Sequence, residues 1–344
     1  MNIISTHANK SNEIYLIKAF SIISVVSAHS YFNPDRQGGF AWYSALFLRN
    51  IGIIGVICFL IVAGYLYHPE KYPLNELVKR KAKTIGIPWL LTGFVYHYWV
   101  EGMKITSAVK KILGIGSCLY YLVMLVFCFI LFYAKAARKK SVCFVLIITT
   151  VFSTVFFYDV PFKLFLQPLG YHVSDWVGYL NPLNWVGYFA IGVAAQNELE
   201  KIKRWIYNPI TLVICGFVLT ACVVHQLMIG APESYFLGGT HFLIRLSGLT
   251  TVFCMAHLIE NKRHHWKFIY KILVELGKDS YSVYLLHLFV VHYFISYMNQ
   301  PFVIYFVLLR PLVIIAIIVG LDILIRKVKN TEIREILCTI LGIR

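Results

Sequence analysis

Apolar runs bounded by charged residues, prolines and glycines recur along the whole chain, over residues 14–32, 46–67, 84–100, 117–134, 142–160, 176–195, 209–229, 239–259, 280–298 and 301–325. A helix needs about 20 mostly apolar residues to cross a bilayer core, and lipid-exposed backbone must satisfy its own hydrogen bonds, which a helix does. The pattern therefore predicts an all-α polytopic membrane protein of about ten transmembrane helices. After the last run, Ile333, Ile336, Leu337, Ile340 and Leu341 recur at helical spacing, with Glu332, Arg334 and Glu335 on the other side. The expected organisation is one transmembrane domain over residues 1–331 and a cytoplasmic amphipathic tail over residues 332–344, lying along the inner leaflet.

The placement of Lys and Arg tests this map, because cytoplasmic loops are enriched in them. Of the 32 basic residues, 24 fall on one side: Lys10 and Lys18, then those in 68–83, 135–140, 196–208, 260–279 and after the last run. Six lie in the alternate loops (Arg36, Arg49, Lys104, Lys110, Lys111, Lys163), and Arg245 and Arg310 are inside runs. Losing one span would invert every later loop and destroy the asymmetry. The even count places both termini in the cytoplasm.

Composition agrees: 59% of residues are hydrophobic, 14% are charged, and the mean hydropathy is +0.69. The net charge of +16 is explained by topology rather than by nucleic acid, since the basic residues cluster between apolar runs instead of forming a solvated face. Seven of the eight cysteines lie in or beside apolar runs without metal-ligand spacing, and read as free buried hydrophobes. The run from Ile14 to Phe32 is followed by no small-residue cleavage site and is expected to be the first span. There is no Gly-rich phosphate loop, no G-x-S-x-G elbow and no internal repeat.

Ionisable groups inside the runs are the candidates for chemistry, because they are expensive in lipid and usually face a cavity. In IYLIKAFSIISVVSAHS, His29 follows Lys18 by eleven residues, close to three turns, so both share a face roughly 16 Å apart along the axis. The plainer alternative is a snorkelling Lys18 with a packing histidine. His241 and Arg245 are four apart and would present cations to an anionic sugar or lipid pyrophosphate, or pair with a carboxylate of another span. His287, with Tyr281 and Tyr284 on nearby turns, is either a structural hydrogen-bond partner or part of an acceptor cavity. Arg310 is expected to snorkel at the outer end of the last run. In the basic segment 71–83, Arg80 and Lys83 are one turn apart and would clamp phosphates, or simply report topology.

Taken in order, these elements resemble the acyltransferase-3 family of membrane O-acyltransferases, which modify bacterial polysaccharides and related glycans. The family opens with Arg, small residues and His eleven positions later, matched here by Lys18 and His29. Its Phe-rich run ending in Ser-Gly-Tyr is similar to CFLIVAGYLY at 58–67, and its Arg-x-x-Arg motif before a proline is similar to LVKRKAKTIGIPWL at 77–90, with Arg80 and Lys83 at the matching positions. The segment LGKDSYSVYLLH at 276–287 resembles the family's Leu-Gly-x-x-Ser-Tyr-x-x-Tyr-Leu-x-His. Lys18 and Lys83 replace arginines and Ala63 replaces Ser, so those lysines offer point charges rather than bidentate forks.

The resemblance implies a multi-pass protein of the bacterial inner membrane that transfers an acetyl or other short acyl group from acyl-CoA to a hydroxyl of a cell-surface or lipid-linked glycan. His29 would take the hydroxyl proton, while Lys18, Arg80 and Lys83 would bind the acyl-CoA, whose pantetheine arm would extend from the inner rim toward His29. His241, Arg245, Tyr281 and His287 are the acceptor or cavity candidates. No metal or permanently bound cofactor is required, and both direct transfer and an acyl-enzyme fit these residues. The rival function is a glycan or lipid-linked-sugar transporter, which would show a similar number of spans and a polar cavity.

Overall fold

The computed structural model describes residues 3–30, 39–156, 175–229, 239–298 and 303–343, and every described segment of regular structure is helical. The α-helices are α1 (Ile3–Ser30), α2 (Phe40–Tyr65), α3 (Leu74–Lys81), α4 (Ile87–Phe94), α5 (Ile105–Ile112), α6 (Tyr120–Tyr133), α7 (Lys140–Phe156), α8 (Val186–Ile206), α9 (Pro209–Ile229), α10 (Gly239–Asn261), α11 (Lys267–Lys278), α12 (Ser280–Met298), α13 (Arg310–Arg326) and α14 (Thr331–Leu341). Among the described residues, four helices are long and apolar enough to span a bilayer, over Phe40–Tyr65, Pro209–Ile229, Thr240–Asn261 and Phe306–Arg326. Shorter apolar helices cover Tyr120–Tyr133, Lys140–Phe156 and Val186–Gln196. Arg36, Lys163 and the end of the 142–160 run lie outside the described residues.

Several apolar runs are less regular than their hydropathy suggests. The expected span 176–195 is divided: a 3-10 turn over Asp175–Leu180 ends at Asn181, and α8 starts only at Val186. The Asn181 side chain accepts from the Leu183 N–H and Pro182 follows, so the local sequence favours a turn over a helix. The last run breaks likewise, with a 3-10 segment at Val303–Leu309 and a kink at Phe306 before α13. Between α3 and α4 the helix widens into a π turn at Ala82–Gly86. There the Ile87 N–H reaches back to Ala82, immediately before Pro88, whose ring would crowd an ordinary turn.

The chain divides into two compact units. The first comprises residues 1–58, 203–230 and 243–344. Within it α1 is packed by α11, α12 and α13. Three of its serines are satisfied by backbone: Ser21 and Ser27 donate to the carbonyls four residues earlier, at 2.7 Å each, and Ser24 accepts from the Gly55 N–H at 2.8 Å while donating to Ile51 O at 2.6 Å. Gly277 lies so close to the Tyr15 backbone that a Cβ there would stand 2.8 Å from the Tyr15 Cα. The glycine of the 276–287 segment thus sets the spacing of α11 against α1.

The second unit comprises residues 59–202 and 231–242. Here the end of α2 crosses α8 through Gly64 and Gly192, each of which sits against backbone of the facing helix, as small residues allow in membranes. Just beyond the crossing, Gln196 Nε2 donates to the carbonyls of Gly64, Tyr65 and Tyr67 at 2.9–3.0 Å and satisfies the exposed end of α2. The Tyr67 hydroxyl donates to Phe129 O at 2.7 Å, and its ring packs on Phe129 and Phe189.

Polar links within each unit join segments that the charge pattern assigns to one membrane face. Arg138 pairs with Glu70 and Lys140 with Glu198 in the second unit; Arg326 pairs with Asp279 and the Tyr207 hydroxyl donates to Glu13 in the first. The eight cysteines are free; of the seven expected to be buried hydrophobes, Cys58, Cys118, Cys128, Cys143 and Cys254 are buried, while Cys215 and Cys222 are only half-buried. The tail forms α14, capped by the Asn330 side chain at its start and by left-handed Gly342 at its end, with Ile333 and Ile336 exposed.

Candidate functional site

The eleven-residue spacing from Lys18 to His29 survives in the structure because α1 is unbroken between them. His29 is in its last turn and half-buried. Across from it, on α12, His287 is completely buried. The two rings face each other with centroids 5.1 Å apart and planes tilted by 46°, and they have ring nitrogens within 4.8 Å. His287 Nδ1 lies 2.6 Å from the carbonyl oxygen of Tyr284. A carbonyl only accepts, so Nδ1 carries the hydrogen and Nε2 keeps its lone pair. That Nε2 is buried and has no hydrogen-bond partner among the described residues. The result is a histidine pair in which one member has a fixed tautomer and an available acceptor.

The first turn of α12 is anchored. The Ser282 hydroxyl lies against the carboxylate of Asp322, a fully buried residue of α13, and 2.9 Å from the Asp279 carbonyl oxygen. Asp279 in turn pairs with Arg326 one helical turn beyond Asp322. Burial pushes the Asp279 carboxyl above its ordinary value, and the Arg326 guanidinium opposes the shift. This network fixes α12 against α13, and α12 carries His287 five residues later.

At the other end of the α1 stripe, the ammonium groups of Lys18 and Lys278 lie 5.7 and 5.9 Å from the centre of the Tyr15 ring. Tyr281 packs toward the turn at Gly342, and Tyr284 supplies the carbonyl and a neighbouring ring to His287. His241 and Arg245 are both buried on α10. Arg310, expected to snorkel, is also buried within the protein.

In the second unit, Arg80 is exposed and committed locally: it pairs with Glu76 at 2.8 Å and stacks over the Tyr72 ring at 4.2 Å. Lys83 is exposed in the π turn. Beside Tyr72 a cavity of about 490 Å³ is lined by Pro69, Glu70, Lys71, Tyr72, Pro73, Tyr133 and Arg138. Asp322, Ser282, Glu70 and Arg138 were not singled out in the sequence. Asp322 does carry a signal, as the lone carboxylate of the last apolar run.

A family model described as an acyltransferase domain, Acyl_transf_3, matches residues 11–324. The chain belongs to this acyltransferase family. Among curated proteins it is similar to the "Probable poly-beta-1,6-N-acetyl-D-glucosamine export protein" of Staphylococcus aureus (strain MRSA252), 20% identical over 330 residues and covering 91% of each chain. It is also similar to the "Putative membrane-bound acyltransferase YfiQ" of Bacillus subtilis (strain 168), 21% identical over 323 residues, covering 84% of this chain and 83% of that one. No solved structure matches it. The family match, residues 11–324, begins seven residues before Lys18 and ends two residues past Asp322, so both members of the histidine pair lie inside it.

Proposed function

We propose that this family member is a ten-span inner-membrane O-acyltransferase, with both termini cytoplasmic, that moves an acetyl or other short acyl group from acyl-CoA to a hydroxyl of a cell-surface or lipid-linked glycan. The observation that carries the reading is the His29–His287 pair. A hydroxyl is a poor nucleophile until a base takes its proton as it attacks, and an imidazole titrates in the right range for that work. In the net step a C–O ester bond forms, the C–S bond of the thioester breaks, and the hydroxyl proton passes through His29 to the departing thiolate, giving free coenzyme A.

His287 acts as a positioning residue. Its Nε2 accepts the N–H of one His29 nitrogen, which leaves the other nitrogen as the base. No hydrogen bond joins the two rings in the structure, and such contacts characteristically tighten only in the complex with substrate. Base and orienter then follow the logic of catalytic triads, with a second imidazole in place of a carboxylate.

The test is transfer of radiolabelled acetyl groups from acetyl-CoA to extracted glycan in membranes holding wild type or His29→Ala. A loss of about 10²- to 10⁴-fold per folded molecule is expected for removing a general base. Near-normal transfer by His29→Ala would reject the assignment. The name of the Staphylococcus relative favours a second reading, export of a glycan without acyl chemistry. Glycan export without any acetyl transfer by the wild type would select it.

A further inference from the structure

The cavity in the second unit is built from parts of two segments far apart in sequence, 69–73 and 133–138. Its volume of about 490 Å³ lies within the range of roughly 300–1,000 Å³ usual for small-molecule sites. Two prolines stiffen one wall, Pro69 and Pro73, and the chain entering that wall is held by Gln196 capping α2. Two tyrosine rings, Tyr72 and Tyr133, give it flat apolar surface, and Arg80 stacked on Tyr72 steadies that ring. Lys71 and Arg138 supply positive charge.

The electrostatics of Arg138 are unusual. One arm of its guanidinium donates to Glu70, while its Nε is buried with no hydrogen-bond partner among the described residues. A guanidinium presents its donors as a fork suited to phosphate, so a site that uses one arm and strands another donor has spare capacity for an oxyanion. Glu70 is half-exposed, and an ion pair of that kind is weak and readily exchanged. It also has a second partner waiting: its other oxygen is 3.3 Å from His68 Nδ1. Burial pushes the Glu70 carboxyl up, but its own backbone N–H and the Arg138 guanidinium outweigh that and hold it below the ordinary carboxylate range. It is therefore an anion at neutral pH, standing where another anion would stand.

We propose that this cavity receives the adenosine phosphates of the acyl-CoA donor, and that Glu70 is a resident carboxylate which the incoming phosphate displaces from Arg138 toward His68. The proposal rests on the donor reading given above and relocates the phosphate contact from the Arg80 and Lys83 pair to Arg138 and Lys71. A purine has use for the tyrosine walls; an anionic lipid headgroup shares only the phosphate chemistry.

The experiment is equilibrium binding of coenzyme A and of adenosine 3′,5′-bisphosphate to the purified full-length protein in nanodiscs of phosphatidylcholine, with and without phosphatidylglycerol. Arg138→Ala should weaken both nucleotides by about tenfold or more, as expected for loss of a hydrogen bond to a charged group. Arg138→Lys should fall between. Glu70→Gln should tighten both severalfold, a gain that misfolding cannot produce. Unchanged affinity in Arg138→Ala, or weaker binding in Glu70→Gln, would overturn the proposal while leaving the donor reading intact if the wild type still binds coenzyme A. Failure of the wild type to bind coenzyme A or transfer acetyl groups would overturn the donor reading itself. Binding of phosphatidylglycerol through Arg138, with no nucleotide bound, would assign the cavity to a lipid headgroup and also overturn the proposal.

Discussion

Removing the His287 imidazole tests the pair more sharply than removing His29, because its consequence can be worked out beforehand. The side chain is fully buried and donates to the Tyr284 carbonyl at 2.6 Å, so His287→Ala loses one ordinary hydrogen bond and costs about 0.5–1.5 kcal/mol of stability from that source. Catalysis loses more. The orienting bond is made to an imidazole that becomes cationic as it takes the hydroxyl proton, and hydrogen bonds to charged groups are worth about 1.5–3 kcal/mol. At 1.36 kcal/mol per factor of ten, kcat should fall by about 10- to 150-fold. Since His287 works through His29, the losses should not multiply: the His29→Ala/His287→Ala double variant should be no slower than His29→Ala alone. Acetyl transfer would be measured per monodisperse folded molecule, with acetyl-CoA affinity followed in parallel. Multiplying losses would refute the orienting role, and so would a kcat for His287→Ala equal to that of wild type.

Two further outcomes are expected. Gly277→Ala forces a Cβ onto the Tyr15 backbone, which cannot swing aside as a side chain would, so it should cost about 1–3 kcal/mol and lower the melting temperature of the extracted protein; an unchanged melting curve would refute the close approach. In a cysteine-free background, Arg263→Cys should be labelled only after permeabilisation and Lys104→Cys in intact cells, and the reverse pattern would overturn the proposed orientation.

The parts of the molecule legible in the sequence are those governed by local periodicity. The Lys18–His29 register needed only an unbroken helix, and α1 is one. The apolar runs at 209–229 and 239–259 coincide closely with α9 and α10 for the same reason. Where the reading fell short, a competing local signal or a distant partner was responsible. The one-turn spacing of Arg80 and Lys83 did not show that Glu76, four residues before Arg80, engages it, nor that a π turn ahead of Pro88 holds Lys83. The sequence left His287 open between a structural and a functional role, leaning to the structural, because its meaning depends on a ring across the helix interface, 258 positions away in the chain, and no periodicity reports that. The Glu70–Arg138 pair, 68 residues apart, was hidden for the same reason.

The buried meeting of Ser282 with Asp322 constrains how sequences of this kind diverge. The Asp322 carboxylate receives the Ser282 hydroxyl through one oxygen, and its other oxygen has no hydrogen-bond partner among the described residues. Exchanging the serine alone strands a desolvated acid, whereas exchanging both for apolar residues of similar size is close to neutral. Single steps therefore descend into a valley that the paired step avoids. Descendants of a common ancestor should keep both polar groups or lose both, and a chain with the acid but not the hydroxyl should carry a new donor on a neighbouring helix.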